Sequence, residues 1–421
     1  MSTPGTRARR VFISIATLLL TAGWSANHFA SVLVALREQL NLSPLLVNGA
    51  YGIYALGLVP SLLVGGALAD RFGGRLVALA GSLIAVVGNS ILMLFHGAPG
   101  LLTGRFIVGL GVGLVVSAGT AWAARLNGAA GSTLAGIVLT SGFALGPVIS
   151  GLAEFAFSPL WLPFVLSIIA SLMAVVFSLR TGDMPRRILA VAEDPQVDPS
   201  ASPRKALATS VPVAMWVFAA ITTAFVGLAA RVAEYFETGV FLPGIAAAVG
   251  FGAGLAIQAA GRRWGWGPGS GVVGILCAGA GFLVVALGGE APSLPLFFLA
   301  TLLLGLGYGL CLRDGLLDVN AYSPASHRGR VLGAYYVATY VGFALPPLMQ
   351  VLEPRVGPSL PFAVLTGIAV AAALLRSWQI RTGYLNRTLG GRTPCLLSEN
   401  QYRRPWAAVP QPTQFVTRPR H

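Results

Sequence analysis

Long apolar runs fill most of the chain, and short polar stretches separate them. A helix needs about 20 apolar residues to cross the hydrocarbon core of a bilayer. The runs lack the period-two alternation of barrel strands, so they are predicted to be membrane helices that satisfy their own backbone hydrogen bonds. The predicted spans cover 11–36, 45–69, 76–96, 100–124, 132–155, 159–180, 209–232, 240–260, 268–289, 294–317, 330–352 and 358–380.

Several short sequences occur twice, in the same order. GLGVGL at 109–114 returns as GLGYGL at 305–310, and GFALGP at 142–147 returns as GFALPP at 342–347. A fainter pair matches Gly66, Asp70, Gly73 and Arg75 with Gly254, Gln258, Gly261 and Arg263. Repeats at a nearly constant offset indicate an internal duplication. The sequence therefore predicts two pseudo-symmetric bundles of six helices, related by an axis along the membrane normal.

The duplication divides the chain into five predicted parts. These are a cytoplasmic N-terminal segment at 1–10, a first six-helix bundle at 11–180, a central cytoplasmic linker at 181–208, a second bundle at 209–380 and a cytoplasmic disordered tail at 381–421. The linker is rich in charge and proline, and the tail is rich in arginine and proline. Neither stretch has the apolar periodicity of a packed element, and we expect no chemistry in the tail.

Composition and charge support a membrane protein with both termini in the cytoplasm. Hydrophobic residues make up 55% of the chain and charged residues 10%, which excludes an ordinary soluble globule. Basic residues concentrate in the loops predicted to be cytoplasmic; the exceptions are Arg37, Arg105, Arg231, Arg313 and Arg355. The net charge of +14 then reflects the retention of basic loops on the cytoplasmic side, and it does not indicate nucleic-acid binding. The first span is too long for a cleaved secretion signal, and the three cysteines suggest no disulfide framework.

The stretch GGALADRFGGR ends the second span. Gly66 and Gly73 permit close helix approach and a tight turn, and Asp70 can bind the positive end of another helix. The stretch resembles the signature loop of the major facilitator superfamily, with Asp70, Arg71 and Arg75 in register and Gly74 in place of a basic residue. That resemblance implies a conformational-switch loop in which Asp70 contacts span eleven near residues 330–333. The alternative is a solvated turn.

The fourth span begins LLTGRFIVGLGVG, which resembles the second signature of the same family. In proton-coupled exporters of the family the arginine at the position of Arg105 is implicated in proton relay. The alternative is an arginine that extends its side chain to the lipid headgroups. The glycines at 109, 111 and 113 lack the preceding strand of a dinucleotide-binding loop, so helix packing is the better interpretation.

Glycines and prolines in spans five and eleven predict helix bends. The set comprises Gly142, Gly146, Pro147, Gly151, Pro346 and Pro347. The first four residues resemble the motif of the drug-exporting antiporters of the superfamily, although Thr133 stands where that motif has an upstream glycine. An ordinary packing kink is the alternative.

Ionisable residues inside spans are candidates for proton coupling. Asp314 and Asp318 share a helix face beside Arg313, and His28 titrates near neutral pH in an ordinary environment. The alternatives are a gate or surface ion pair for the carboxylates and a neutral, hydrogen-bonded side chain that lines the cavity for the histidine. Arg231 and Glu234 are predicted to form a rim salt bridge. Candidates for lining a cavity that accepts apolar cations or ring systems are Trp24, Asn27, His28, Tyr51, Tyr54, Trp122, Tyr336 and Tyr340. The alternative for the aromatic residues is packing against lipid or at the membrane interface.

The resemblance implies a drug/proton antiporter-like member of the superfamily. Such a protein would export a small organic solute by alternating access of two bundles around a central cavity, driven by a proton gradient. The alternative is a symporter that imports a small metabolite, and a scaffold that transports nothing is a third class. No metal-ligand cluster, nucleophile elbow or phosphate loop is present in the sequence, so we expect no enzyme activity, cofactor or bound metal. We expect a monomer in the plasma or inner membrane whose partners are the solute, protons and lipid.

Overall fold

A computed structural model describes residues 4–157, 160–181, 201–236, 239–324 and 328–387, and the regular elements in these ranges are helices. They are α1 Pro4–Asn27, α2 Phe29–Leu40, α3 Pro44–Phe72, α4 Gly74–Leu94, α5 Ala98–Phe157, α6 Leu162–Thr181, α7 Pro203–Thr222, α8 Ala229–Ala233, α9 Leu242–Arg263, α10 Gly269–Gly288, α11 Leu294–Tyr322, α12 Arg328–Tyr340, α13 Leu345–Val356 and α14 Leu360–Arg381. A π-helical turn at Thr223–Leu228 joins α7 to α8, and 3-10 turns at Gly239–Phe241 and Val341–Ala344 precede α9 and α13.

The described helices contain 12 segments that are long and apolar enough to cross a membrane, as the hydrophobic pattern predicts. Helix α5 supplies two of them, Ala98–Ala123 and Leu134–Glu154. Arg105 near the start of α5 bonds the carbonyl of Ala26, and Pro147 near its end accepts a bond from Ser31. The two ends of α5 therefore meet the same part of the first span, so the chain reverses between the two segments. We call the side of the membrane where α1 begins and α14 ends proximal, and the other side distal.

The repeated glycines mark equivalent packing contacts in the two halves. A Cβ on Gly109 would lie 2.1 Å from the carbonyl oxygen of Tyr54, and one on Gly305 would lie 2.4 Å from that of Gly250. Real Cβ atoms do not come that close, so α5 touches α3, and α11 touches α9, backbone against backbone. The predicted duplication into two bundles is thus confirmed, and GLGVGL and GLGYGL recur because both helices need this clearance.

The second repeated pair, GFALGP and GFALPP, also marks equivalent helix contacts in the two halves. A Cβ on Gly142 would lie 2.1 Å from the carbonyl oxygen of Leu20 on α1, and one on Gly342 would lie 2.0 Å from the amide nitrogen of Ala219 on α7. Each half therefore packs its fifth span against its first span at an equivalent glycine. These contacts leave no room for a side chain, so each half is a closely packed bundle.

The second half contains two helix irregularities at the same depth. The π-helical turn follows Thr222, and the 3-10 turn Val341–Ala344 interrupts span eleven just before Pro346 and Pro347. Thr222 donates its hydroxyl to the carbonyl oxygen of Gly342, 3.1 Å away, and this bond joins the two irregular segments. At Pro147, in the matching position of the first half, α5 continues without a break. In span eleven the predicted bend coincides with a change of helix type, whereas the bend predicted at Pro147 stays a prediction.

Several predicted boundaries differ from the structure. Helix α1 begins at Pro4, inside the segment predicted at 1–10, and α7 begins at Pro203, inside the linker predicted at 181–208. Helix α7 begins there because Ser202 accepts a hydrogen bond from the Lys205 amide and Pro203 occupies the first helical position. The rest of that linker, 182–200, and most of the predicted tail, 388–421, lie outside the described residues.

Candidate functional site

Aromatic side chains fill the contact between the two halves at middle depth. The rings of Tyr51 on α3 and Phe343 in the 3-10 turn stack with centroids 5.3 Å apart and planes 6° apart. Phe143 on α5 meets Phe218 on α7 edge to face at 5.9 Å. We call this group the aromatic seam; its members, all buried, are Tyr51, Tyr54, Phe143, Phe218, Phe225, Phe251, Tyr308, Tyr340 and Phe343.

Few polar contacts between the described residues cross the aromatic seam. The hydroxyl groups of Thr140 on α5 and Tyr308 on α11 lie 3.1 Å apart and share one hydrogen bond. Distal to it, a Cβ on Gly52 would lie 3.0 Å from the ring of Pro347, so spans two and eleven also touch. At this depth the described contacts between the halves are therefore rings and one neutral hydrogen bond, unlike the backbone-to-backbone contacts at glycines inside each half.

Arg105 lies against the first-half side of the aromatic seam and is fully buried. Its Nη1 donates to the carbonyl of Ala26 at 3.1 Å and its Nε to that of Ala50 at 3.3 Å. The guanidinium carbon stands 4.5 Å from the ring centroid of Tyr54, 4.7 Å from that of Phe29 and 5.4 Å from that of Tyr51.

Within the described residues, the guanidinium of Arg105 has no carboxylate partner, and its Nη2 has no hydrogen-bond partner. Carbonyl dipoles and ring faces stabilise the charge instead. The side chain does not reach the headgroups, as the alternative interpretation of this arginine requires.

His28 lies inside the first half and not at the aromatic seam. Its Nε2 is 2.9 Å from Oδ1 of Asn89 on α4, and its ring meets that of Phe164 on α6 edge to face. Asn89 in turn donates to the hydroxyl of Ser25 at 3.1 Å. These contacts agree with a hydrogen-bonded histidine, but they place it inside the bundle and not on the contact between the halves where it was expected to line a cavity.

The remaining cavity candidates fall in different places. Asn27 accepts a long hydrogen bond, 3.4 Å, from the hydroxyl of Tyr51, and so adjoins the aromatic seam. Trp122 packs against Gly74 at the proximal end of the first half. Tyr336 lies on α12 against Tyr335, one turn proximal to Tyr340, while Trp24 is partly buried on α1 beside Gly146.

A second charged group lies at the proximal end of the second half. Asp314 and Asp318 on α11 are fully buried. The Nη2 of Arg376 on α14 contacts both carboxylates and lies 2.7 Å from Asp318 Oδ2. Arg387, beyond α14, also contacts both, with its Nε 2.9 Å from Asp318 Oδ1. We call these four residues the carboxylate cluster; two carboxylates face two guanidinium groups in it, so the buried charge is balanced.

Arg313 contacts the carboxylate cluster through Ser270. Its Nη1 donates to the Ser270 hydroxyl at 3.1 Å, and that hydroxyl donates to Asp314 Oδ1 at 3.0 Å. Its Nη2 donates to the carbonyl of Gly261 at the end of α9, where a cation is favoured by the helix dipole. Arg376 likewise donates to the carbonyl of Thr209 on α7, 2.6 Å away. The cluster therefore ties α7, α9, α11 and α14 together.

The signature loop between α3 and α4 contains the tight turn predicted at Gly73, but not the close helix approach predicted at Gly66. Gly73 has φ of +96°, a conformation that side chains disfavour, and its amide donates to the carbonyl of Ala69. A Cβ on Gly66 would have nothing within 4 Å, so the close helix approach expected there is absent.

Asp70 has a different partner from the one the family resemblance implies. It pairs with Arg125 on α5, in its own half, and among the described residues it has no ion pair with span eleven. Arg75 donates to the carbonyls of Ser178, at 2.8 Å, and Leu179 near the end of α6, which binds the loop to that helix. The guanidinium of Arg71 lies 5.1 Å from the ring of Phe72. The described contacts of the loop therefore stay within the first half.

Sequence reasoning missed several residues of these groups. The charge count assigned Arg376 to the cytoplasm, yet it lies buried inside α14; an arginine within an apolar run was the signal that could have identified it. Arg387 falls in the predicted tail and gave no signal. The sequence predicted a rim salt bridge of Arg231 with Glu234. In the structure Arg231 pairs with Glu353 on α13, which the prediction did not name.

Comparison with known proteins agrees with this architecture. The family model of the Major Facilitator Superfamily matches residues 13–347. The multidrug resistance protein MdtL of Klebsiella pneumoniae is 34% identical over 76 residues, which cover 18% of this chain and 19% of MdtL. The human proton myo-inositol cotransporter is 33% identical over 96 residues, 22% of this chain and 14% of the cotransporter. The chain thus matches less than a fifth of the length of these relatives.

Solved structures resemble the whole fold at low sequence identity. A POT family transporter in complex with 5-aminolevulinic acid has a TM-score of 0.70 at 14% identity, covering 88% of this chain and 96% of that one. A POT family transporter in complex with a thioalcohol-conjugated peptide has a TM-score of 0.71 at 13% identity, with the same coverage. At this identity the likeness shows the fold and not the substrate.

Proposed function

From the premise that the chain belongs to the Major Facilitator Superfamily and is a membrane transporter, we propose that it exports a small organic solute in exchange for protons. Alternating access would open the aromatic seam to one side of the membrane and then to the other.

The observation that carries this proposal is the contrast between the seam and the bundle interiors. Inside each half, helices touch backbone against backbone at glycines such as Gly109 and Gly305. Between the halves, the central contacts are stacked rings and the Thr140–Tyr308 hydrogen bond. Two stiff bodies joined by a separable contact are what rocking about a central site requires.

Two charged groups support coupling to protons. The carboxylate cluster holds Asp314 and Asp318 away from water with one guanidinium each. If Arg387 leaves, one carboxylate loses its cation and takes up a proton, because a buried carboxylate is strongly disfavoured when unpaired. Arg105 is the charge nearest the solute path and responds to a change in seam geometry through Tyr51 and Tyr54.

The direction of transport rests on sequence similarity. The match to MdtL, which covers 18% of the chain, supports export of an organic solute. The match to a proton myo-inositol cotransporter, over 22% of the chain, supports the second candidate, import by symport. Proton coupling is common to both candidates, so the direction has to be measured.

The test is accumulation of fluorescent aromatic dyes, anionic and cationic, in cells that produce the protein. Export lowers accumulation, an uncoupler restores it, and Asp314→Asn restores it without an uncoupler. Glu290→Gln, a similar change on an exposed loop, is the matched control and keeps the export. Increased accumulation would establish import instead, and accumulation unchanged for every dye would refute transport of this solute class.

A further inference from the structure

The charges around the aromatic seam are unequal in sign. Among the described residues, the carboxylates within spans lie toward helix ends: Asp70, Asp314 and Asp318 near proximal ends, and Glu154 and Glu353 near distal ends. The charged side chain that contacts the seam is Arg105, whose guanidinium lies against Tyr51 and Tyr54. The electrostatic potential at the seam is therefore positive, and charge is weakly screened at this depth.

This arrangement disfavours a cationic solute. A bound cation would use the faces of tyrosine rings, as cations commonly do in aromatic sites. The guanidinium of Arg105 already lies over one face of each of the rings of Tyr51 and Tyr54, 5.4 Å and 4.5 Å from the two centroids. A second cation there would be repelled and would find no carboxylate among the described seam residues.

Two buried hydrogen-bond donors at the same place lack acceptors. Neither Nη2 of Arg105 nor the hydroxyl of Tyr54 has a partner among the described residues, and both side chains are fully buried. Leaving such donors unpaired costs free energy, which an incoming acceptor would recover. A carboxylate fits best, because its two oxygens match the planar guanidinium and form charge-assisted hydrogen bonds.

The neighbouring ring contact supplies a place for an aromatic ring. Phe343 of the second half stacks on Tyr51 of the first with centroids 5.3 Å apart and nearly parallel planes. When the halves separate, Phe343 moves away and that face of Tyr51 becomes free. A planar ring of a solute can then replace Phe343 while its acidic group reaches Arg105 beside Tyr51.

We propose that the transported solute is an aromatic carboxylate, bound at the aromatic seam with its acidic group on Arg105 and Tyr54 and its ring on Tyr51. This assignment rests on the proposed transport function and adds the substrate class. It also predicts the electrical character of exchange. One anion moving out against one proton moving in transfers two charges in the same electrical sense, so an inside-negative potential accelerates export. One-for-one exchange of a monovalent cation for a proton would be electroneutral.

The experiment uses three probes of one shape and different charge: 2-naphthoate, 2-naphthamide and 2-naphthylmethylammonium. Equilibrium binding to the purified full-length protein should be at least tenfold tighter for the naphthoate than for the amide, and weakest for the ammonium. Arg105→Gln should abolish the preference for naphthoate, Arg105→Lys should retain part of it, and Tyr54→Phe should weaken naphthoate binding several-fold. Arg381→Gln, an exposed arginine at the end of α14, is the matched control and should change nothing.

Equal or tighter binding of the ammonium probe, or naphthoate affinity unchanged in Arg105→Gln, would overturn the assignment. Since Arg105 is buried, a thermal unfolding curve accompanies each variant; if Arg105→Gln does not fold, Tyr54→Phe decides, because it removes one hydroxyl only. Binding needs no gradient, which separates the two proposals. Arg105-dependent naphthoate binding without proton-driven flux in liposomes would uphold the site and refute antiport, whereas proton-driven flux of the ammonium probe would do the reverse.

Discussion

Removing one member of the carboxylate cluster should unbalance a buried set of charges. Asp314→Asn leaves Arg376 and Arg387 to share Asp318, and Arg387→Gln leaves two carboxylates facing one guanidinium. Removing one partner of a buried ion pair costs about 3 to 5 kcal/mol. Because the side chain of Arg387 retains 8% exposure, we expect the lower end, about 3 kcal/mol, for each variant.

The double variant Asp314→Asn/Arg387→Gln restores one carboxylate for each guanidinium. Its loss of stability should therefore fall short of the sum of the two single losses by about 2 kcal/mol, within the range of directly coupled residues. A comparable single change outside the cluster, Arg381→Gln at the exposed end of α14, should stay within about 0.5 kcal/mol of the unchanged protein.

The assay is thermal unfolding of the protein in detergent, followed by a fluorophore that reacts with thiols. Cys311 is fully buried on α11, one turn from Asp314, so its reaction reports the opening of this helix. Losses that simply add in the double variant would show that Asp314 and Arg387 do not interact. A stability of Arg387→Gln equal to that of Arg381→Gln would refute the contact of Arg387 with the two carboxylates.

Two further predictions concern packing and the signature loop. Gly342→Ala should destabilise the second half by about 3 kcal/mol in the same assay, because its Cβ would lie 2.0 Å from the backbone nitrogen of Ala219. The control Gly367→Ala should be neutral, because a Cβ there would have nothing within 4 Å. Equal unfolding curves for the two variants would contradict the close contact at Gly342. Asp70→Asn should leave stability within about 0.5 kcal/mol of the unchanged protein, since the ion pair of Asp70 with Arg125 is exposed. The same variant should slow solute flux in liposomes if the loop is a conformational switch, and undiminished flux would exclude that role.

The membrane spans could be predicted from the sequence because apolar length is the one requirement for crossing a bilayer. All 12 predicted runs correspond to apolar helices of the structure. The internal repeat also had a direct physical cause, since Gly109 and Gly305 recur where helices meet without side chains. Features that depend on span length or on backbone clearance can therefore be predicted from a single sequence.

The composition of the candidate site could be predicted only in part. Tyr51, Tyr54 and Arg105 were identified as candidates, but Phe343 and Phe143 were not, because hydrophobicity alone does not distinguish a ring facing another bundle from a ring facing lipid. His28 carried a polar signal at the right depth, yet the rotation of α1 turns it toward Asn89 inside the first half. Helix rotation depends on packing against neighbours, and sequence periodicity is weak in helices that are apolar all round.

The fold-back after the last helix determines how far the chain can be shortened. Gly383 turns the backbone at φ of +73°, Leu385 is buried with its amide 2.9 Å from the carbonyl of Gln379, and Arg387 thereby reaches Asp314. A truncated form that stops where the hydrophobic helix ends would lose the counter-ion Arg387 and the buried side chain of Leu385. A purification tag or fluorescent reporter fused beyond residue 387 would leave both in place, so hydropathy is a poor guide to where such a protein should be trimmed.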